Sequence, residues 1–259
     1  MIYLLFLSVL PVLLIGIYIY YKDREKEPLT LLSKLFLGGV FSCILTLIIS
    51  YSLESFFPIL FKESDNLNFI ELFLQAFIGI ALVEEGSKWI MVYLISYNDK
   101  AFDDLYDMIV YAVFVSLGFA LLENIYYVLD GGVDVGIIRA LLSVPGHAAN
   151  GVFMGYYLAL SKQTLYNGRR DLHLKYILFS IIVPVLLHGV YDYLLLNDYF
   201  IFFIIFLIFI VNLYRISIDR VNRFAGITRK MRCNDRYCPT CGKIVSSNYC
   251  SNCGSKVEE

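Results

Sequence analysis

Ala81-Leu82-Val83-Glu84-Glu85-Gly86-Ser87-Lys88-Trp89 places two adjacent carboxylates and a lysine inside an apolar run reaching from about residue 76 to residue 97. At about 1.5 Å of rise per residue, that run has the length of a membrane span. Each ionised group at bilayer depth costs roughly 2.5 kcal/mol or more. A sequence keeps such groups where they face a protein interior or a water-filled cavity and act there. Glu84 and Lys88 are four apart, so a helix puts them on one face and lets them pair. Glu85 points about 100° away, which calls for a different partner. The plain alternative is a structural ion pair that fixes helix packing.

Working outward, the 259 residues are 59% hydrophobic and 17% charged, with mean hydropathy +0.68. Soluble domains carry about 45–50% apolar and about 25% charged residues. The composition therefore specifies an all-α polytopic membrane protein and excludes a soluble globular enzyme. Apolar runs predict spans at residues 2–21, 31–51, 76–97, 108–129, 139–160, 174–196 and 198–214. The first has no positive region before it and no small-residue cleavage site after it, and reads as a retained span. Residues 69–77, broken by Glu71 and Gln75, read as an interfacial segment. Asp130-Gly131-Gly132-Val133-Asp134 reads as a turn.

Lysine and arginine set the orientation. With the first loop inside, the cytoplasmic side collects Lys22, Arg24, Lys26, Lys100, Lys162, Arg169, Arg170 and Lys175. It also collects Arg215, Arg220, Arg223, Arg229, Lys230 and Arg232 of the tail. The outside keeps Lys62 and Arg139. The expectation is a multi-pass cell-membrane protein of about seven helices, with its N-terminus outside and its C-terminus in the cytoplasm.

At about 1.5 Å per residue, Glu84, His147 and His188 each lie roughly 12 Å from the outer ends of their spans, and Glu123 roughly 9 Å. Four ionisable side chains on four helices thus share one depth, which points to a common site. Glutamate can take a proton from water, and histidine can bind a metal or donate to an oxyanion. His188 and Asp192 are four apart, so Asp192 can orient the imidazole or act as a second ligand. His147 and Asn150 are three apart and share a face. No serine, threonine or cysteine stands beside a base as a covalent nucleophile would, and Cys43 reads as packing. The constellation fits carboxylate-activated water, with or without a divalent metal, attacking a carbonyl.

Glu84-Glu85-x-x-Lys88, Phe119-x-x-x-Glu123-Asn124 and His188-x-x-x-Asp192, in this order and each in its own span, resemble the signature of the PrsW family of intramembrane proteases. That family is distantly related to the CAAX-processing membrane proteases. Asp23-Arg24-Glu25 with Glu27-Pro28, Phe102-Asp103 with Asp107, and His147 are similar too, so the resemblance covers roughly residues 15–196. It implies site-1 type cleavage, on the extracytoplasmic side, of single-span membrane proteins typified by anti-sigma factors, as in envelope stress. It makes Glu84 the base. Glu123, His147 and His188 would place the water or polarise the carbonyl, with Glu85 and Asp192 beside them and Lys88, Asn124 and Asn150 in support. Glu123 stands where the CAAX-type relatives have histidine, and Asp192 where they have asparagine. Those departures leave a metal site and a metal-free glutamate mechanism both open.

Five of the six cysteines lie between residues 233 and 259. Cys238-Pro239-Thr240-Cys241 and Cys250-Ser251-Asn252-Cys253 form two CxxC knuckles at the spacing of a four-cysteine zinc ribbon. Four thiolates leave no open coordination position, so this zinc would be structural and would hold a small module together. Cys233 falls outside the pattern. The expected organisation is a protease-like membrane domain over 1–214, a basic linker over 215–232 that touches anionic lipid, and a zinc ribbon over 233–259. A cytoplasmic docking partner suits the ribbon better than nucleic acid does. Two other classes remain open to the sequence: a proton- or ion-coupled transporter or sensor, and a non-catalytic scaffold acting through its ribbon.

Overall fold

A computed structural model describes residues 2–61, 67–225, 236–237, 244–245, 249–250 and 253–256. Eight α-helices account for most of them: α1 Ile2–Lys22, α2 Leu29–Phe56, α3 Phe69–Leu74, α4 Val83–Ser96, α5 Leu105–Leu141, α6 Ser143–Tyr166, α7 Arg170–Leu195 and α8 Phe200–Ala225. Among the described residues, five helical stretches are long and apolar enough to cross a membrane: 3–22, 29–56, 105–166, 170–195 and 200–225. The stretch 105–166 contains both α5 and α6. Residues 236–237 and 244–245 pair antiparallel in the tail. The ribbon expectation falls mostly outside the described residues, Cys233, Cys238 and Cys241 included.

The first half of α5 is the axis of the bundle. Met108, Ile109, Tyr111, Val113 and Leu117 are sealed from the surface, with α1, α2, α4 and α6 around them. Lipid tails are as apolar as leucine, so burial alone gives helices little reason to associate in a bilayer. Close backbone approach supplies the packing energy instead. Gly39 of α2 and Gly118 of α5 provide it: a Cβ on either would overlap the partner helix's backbone, at Val115 O and Phe36 O. At its N-terminus, α5 is closed by a reciprocal capping box between Asp104 and Asp107.

The charged span is composite. A capping box of Asn68 and Glu71 starts α3, a π-helical segment follows over Gln75–Leu82, and α4 begins at Val83. Expected as one regular helix from 76 to 97, the span is thus re-phased by π-helical turns directly before the two glutamates. Such turns collect at functional positions because they re-aim the side chains that follow. The expected turn at 130–134 is a kink within α5. Gly132 has φ +77°, a left-handed conformation that glycine adopts without a Cβ clash, and helical hydrogen bonding resumes after it. The returning segment ends at Leu141, so Arg139 belongs to α5 and not to the start of the next span. At the far end, α8 continues beyond residue 214 to Ala225 and carries Arg215, Arg220 and Arg223 on helix.

Candidate active site

Four helices bring their polar side chains to one place. Lys88 lies at the centre, fully buried, with Nζ 2.8 Å from Glu85 Oε1, 3.3 Å from Glu84 Oε2 and 3.0 Å from His147 Nδ1. The Phe119 ring closes the remaining side at 3.9 Å. An ammonium can only donate, so His147 Nδ1 accepts. His147 Nε2 therefore carries the proton and donates it to Glu123 Oε2 at 2.7 Å. This fixes His147 as a neutral imidazole with both nitrogens engaged.

His188 is arranged differently. Its Nδ1 lies 2.9 Å from Glu85 Oε1, an acceptor, so Nδ1 bears the proton. Its Nε2 makes no hydrogen bond and faces two carboxylates, 3.3 Å from Asp192 Oδ2 and 3.8 Å from Glu84 Oε2. A carboxylate behind an imidazole whose other nitrogen faces two carboxylates is the pattern that orients a metal-ligating histidine. The two imidazoles stand edge to face, 5.4 Å apart.

A cavity of about 300 Å³ opens against this cluster. Glu84, Glu123, His147, Asn150, His188 and Asp192 reach its wall. Glu85 and Lys88 do not; they lie behind it and hold Glu84 and the two histidines in place. Glu85 was expected to need a partner other than Lys88, yet it makes the shorter bond to that lysine, because positions three apart on a helix are neighbours as well. Asn124 is fully buried, donates to Ser8 O at 3.1 Å and accepts from Arg139 Nε at 3.0 Å, so it ties α1 to the α5 kink.

Arg139, Tyr127 and Tyr191 also line the cavity, and sequence reasoning did not select them. Charge patterning marks Arg139 only as an external positive charge. Its isolation in the apolar stretch 135–142, just after Asp134, was the available signal. Asn150 Oδ1 is buried without a hydrogen bond and stands ready as an acceptor.

The donor set suits a divalent ion. Glu84, Glu85, His147 and His188 each offer a ligand atom, all within 4.8 Å of one another. Imidazole nitrogen and carboxylate oxygen are the donors of catalytic zinc sites that keep a position open for water. Of the two imidazoles, His188 has the uncommitted nitrogen.

Residues 27–214 match the family model described as PrsW family intramembrane metalloprotease. The chain is 35% identical over 216 residues to Protease PrsW of Oceanobacillus iheyensis, covering 83% of this chain and 93% of that one. It is 41% identical over 180 residues to Protease PrsW of Geobacillus kaustophilus, covering 69% and 73% of the two chains. With Protease PrsW of Bacillus subtilis the identity is 37% over 179 residues, covering 69% and 76%. No solved structure matches the chain. A multi-pass membrane chain with a buried glutamate–histidine cluster, matched over most of its length in this way, belongs to the PrsW family of intramembrane metalloproteases.

Proposed function

We propose that the chain hydrolyses peptide bonds of single-span membrane proteins, of the anti-sigma-factor kind, near their extracytoplasmic ends. The observation that carries this reading is the cavity wall itself. Glu84, His188, Asp192, Glu123 and Asn150 meet on one open space beside apolar Leu187 and Leu213. Glu84 takes the proton of a water placed between it and the scissile carbonyl. The water oxygen bonds to the carbonyl carbon, the C–N bond breaks, and Glu84 returns the proton to the departing amine. Lys88 holds Glu84 from behind, and Glu85 holds His188. Asn150 Oδ1 accepts a backbone N–H of the substrate, while the apolar wall takes a side chain and keeps bulk water out.

His188 Nε2 and Asp192 are the groups that would hold a divalent ion, with Glu84 beside them left as the base. Bound there, the ion supplies Lewis acidity and a more acidic water.

Seven passes follow if α3, the π-helical segment and α4 cross together and α5 and α6 cross separately. The packing supports this count. Lys22 at the end of α1 donates to Asn222 near the end of α8 at 2.8 Å, and Lys162 of α6 donates to Tyr97 O after α4 at 2.7 Å. Both join helix ends that seven passes put on one side. Charge asymmetry makes that side cytoplasmic, with the N-terminus outside. The C-terminal cysteines would then hold a structural zinc in a cytoplasmic ribbon that docks a partner.

Terminal-peptide mass spectrometry on membranes from wild-type and Glu84→Gln cells under envelope stress tests the reading. The expected result is a set of single-span proteins whose new extracytoplasmic-side termini vanish in the variant. Identical termini, with the variant protein folded and present, would sink it.

A further inference from the structure

Arg139 is the one lysine or arginine among the described residues that line the cavity, since Lys88 lies behind the wall. Three contacts fix its guanidinium. Nε donates to Asn124 Oδ1 at 3.0 Å, Nη2 lies 2.9 Å from Glu123 Oε2, and the plane rests 4.3 Å from the Tyr127 ring centroid. It reaches this position only because the chain turns back at Gly132, with φ +77°. Nε and Nη2 are thus taken up by Asn124 and Glu123, whereas Nη1 makes no hydrogen bond among the described residues and is not buried, so its N–H groups are left for the cavity. A permanent cation within a membrane domain is costly. A group held at that cost on the wall of a reaction cavity has a ligand to meet.

We propose that Arg139 is the electrophile of the site: its guanidinium donates to the scissile carbonyl oxygen and stabilises the oxyanion that forms when water adds. This rests on the peptidase reading of the same cavity. Nη1 supplies the donor, and the planar fork keeps its direction while Nε holds Asn124 and Nη2 holds Glu123. Glu123 serves as the anchor that fixes the cation, and Tyr127 sets its plane. Preorganised donors of this kind act in the transition state more than in substrate binding. Arg139 therefore governs kcat and leaves KM nearly unchanged.

The test uses the full chain in detergent micelles and a single-span substrate found by the terminal-peptide experiment, carrying a quenched fluorophore pair across its cleavage site. Arg139→Gln is expected to lower kcat about 100-fold or more, with KM within about threefold. Arg139→Ala is expected to regain at least about tenfold with added guanidinium ion, which leaves the wild type unaffected. Arg139→Lys, with a charge but no fork, should fall between wild type and Arg139→Gln. The proposal is overturned if Arg139→Gln keeps its kcat, if the loss lies in KM alone, or if neither guanidinium nor lysine restores turnover. Glu84→Gln serves as the reference. If it cleaves the same substrate normally, the peptidase reading of the cavity fails; if only Glu84→Gln is inactive, the assignment of Arg139 alone fails.

Discussion

Glu84, Glu85, Glu123 and Asp192 gather in the middle of the bundle, and Asp23, Glu27 and Asp107 gather where the loop after α1 meets the start of α5. Both groups are buried or nearly so, and each contributes to a set of ligand atoms lying within 4.8 Å of one another. Their surroundings differ. In the α5 group, Asp107 Oδ2 accepts two backbone N–H groups, at 2.9 Å from Asp103 and 2.6 Å from Asp104. Tyr111 donates to Glu27, and Asp23 Oδ1 accepts from Glu25 N at 3.2 Å. The cavity beside these residues is about 10 Å³, room for hardly more than one water. The central group has two imidazoles, a lysine and an arginine for partners and about 300 Å³ of open space. Carboxylates tied to peptide N–H groups close a helix end; carboxylates tied to imidazoles on a cavity wall are equipped to move protons.

The sharpest way to break that contrast is a pair of isosteric amides. Glu84→Gln should lower cleavage by about 10³-fold or more, as loss of a general base does. Asp107→Asn should leave the rate within a few-fold of wild type and act on stability instead. Equal losses of turnover in the two variants would erase the distinction.

A second effect is read in bound metal. His188→Ala removes the free imidazole nitrogen, so purified protein should carry about one equivalent less divalent metal, with turnover reduced at least about 100-fold. Elemental analysis decides it: unchanged metal content would move the ion elsewhere.

Smaller still is a pH effect at the α5 group. Burial pushes the Glu27 carboxyl up to about 7, opposed by the Tyr111 hydrogen bond and helped by the Asp23 charge. A carboxyl with a raised folded-state value holds its proton more tightly folded than unfolded. Its contribution is intact below the unfolded value and is lost as pH rises through about 7. Melting in detergent should therefore come a few degrees lower at pH 8 than at pH 5. Glu27→Gln should flatten that slope only in part, because the buried carboxyls of Asp23 and Asp107 remain beside it. An unaltered slope would free Glu27 of the role. The least effect is expected from Asp104→Ala, which removes the side-chain cap on Tyr106 N. It should cost about 1 kcal/mol, or about 2–4 °C in Tm, with cleavage unchanged.

Glu84, Glu123, His147, His188 and Asp192 were all legible as candidates before any coordinates, because ionisable groups in apolar runs cost too much to be incidental. Counting residues along helices put the first four of them at one depth. Arg139 was not legible in this way. Its place depends on a left-handed glycine within α5, and sequence patterning marks that position only as a turn. The division of labour between the histidines was hidden for another reason. Which nitrogen is free depends on whether Lys88 or Glu85 lies behind the ring, and that is a matter of helix rotation over a few ångströms.

The sequence by itself determined the membrane class, the order of the apolar helices, the polar residues worth their desolvation and the family, since all of these follow from composition, spacing and motif. Tertiary structure alone decided that Glu85 and Lys88 stand behind the wall, that His188 keeps an open nitrogen and that Arg139 enters the cavity. The reason is physical: solvation cost is a property of a residue type in a segment, whereas proton position and donor direction are set by partners brought together from helices far apart in the chain.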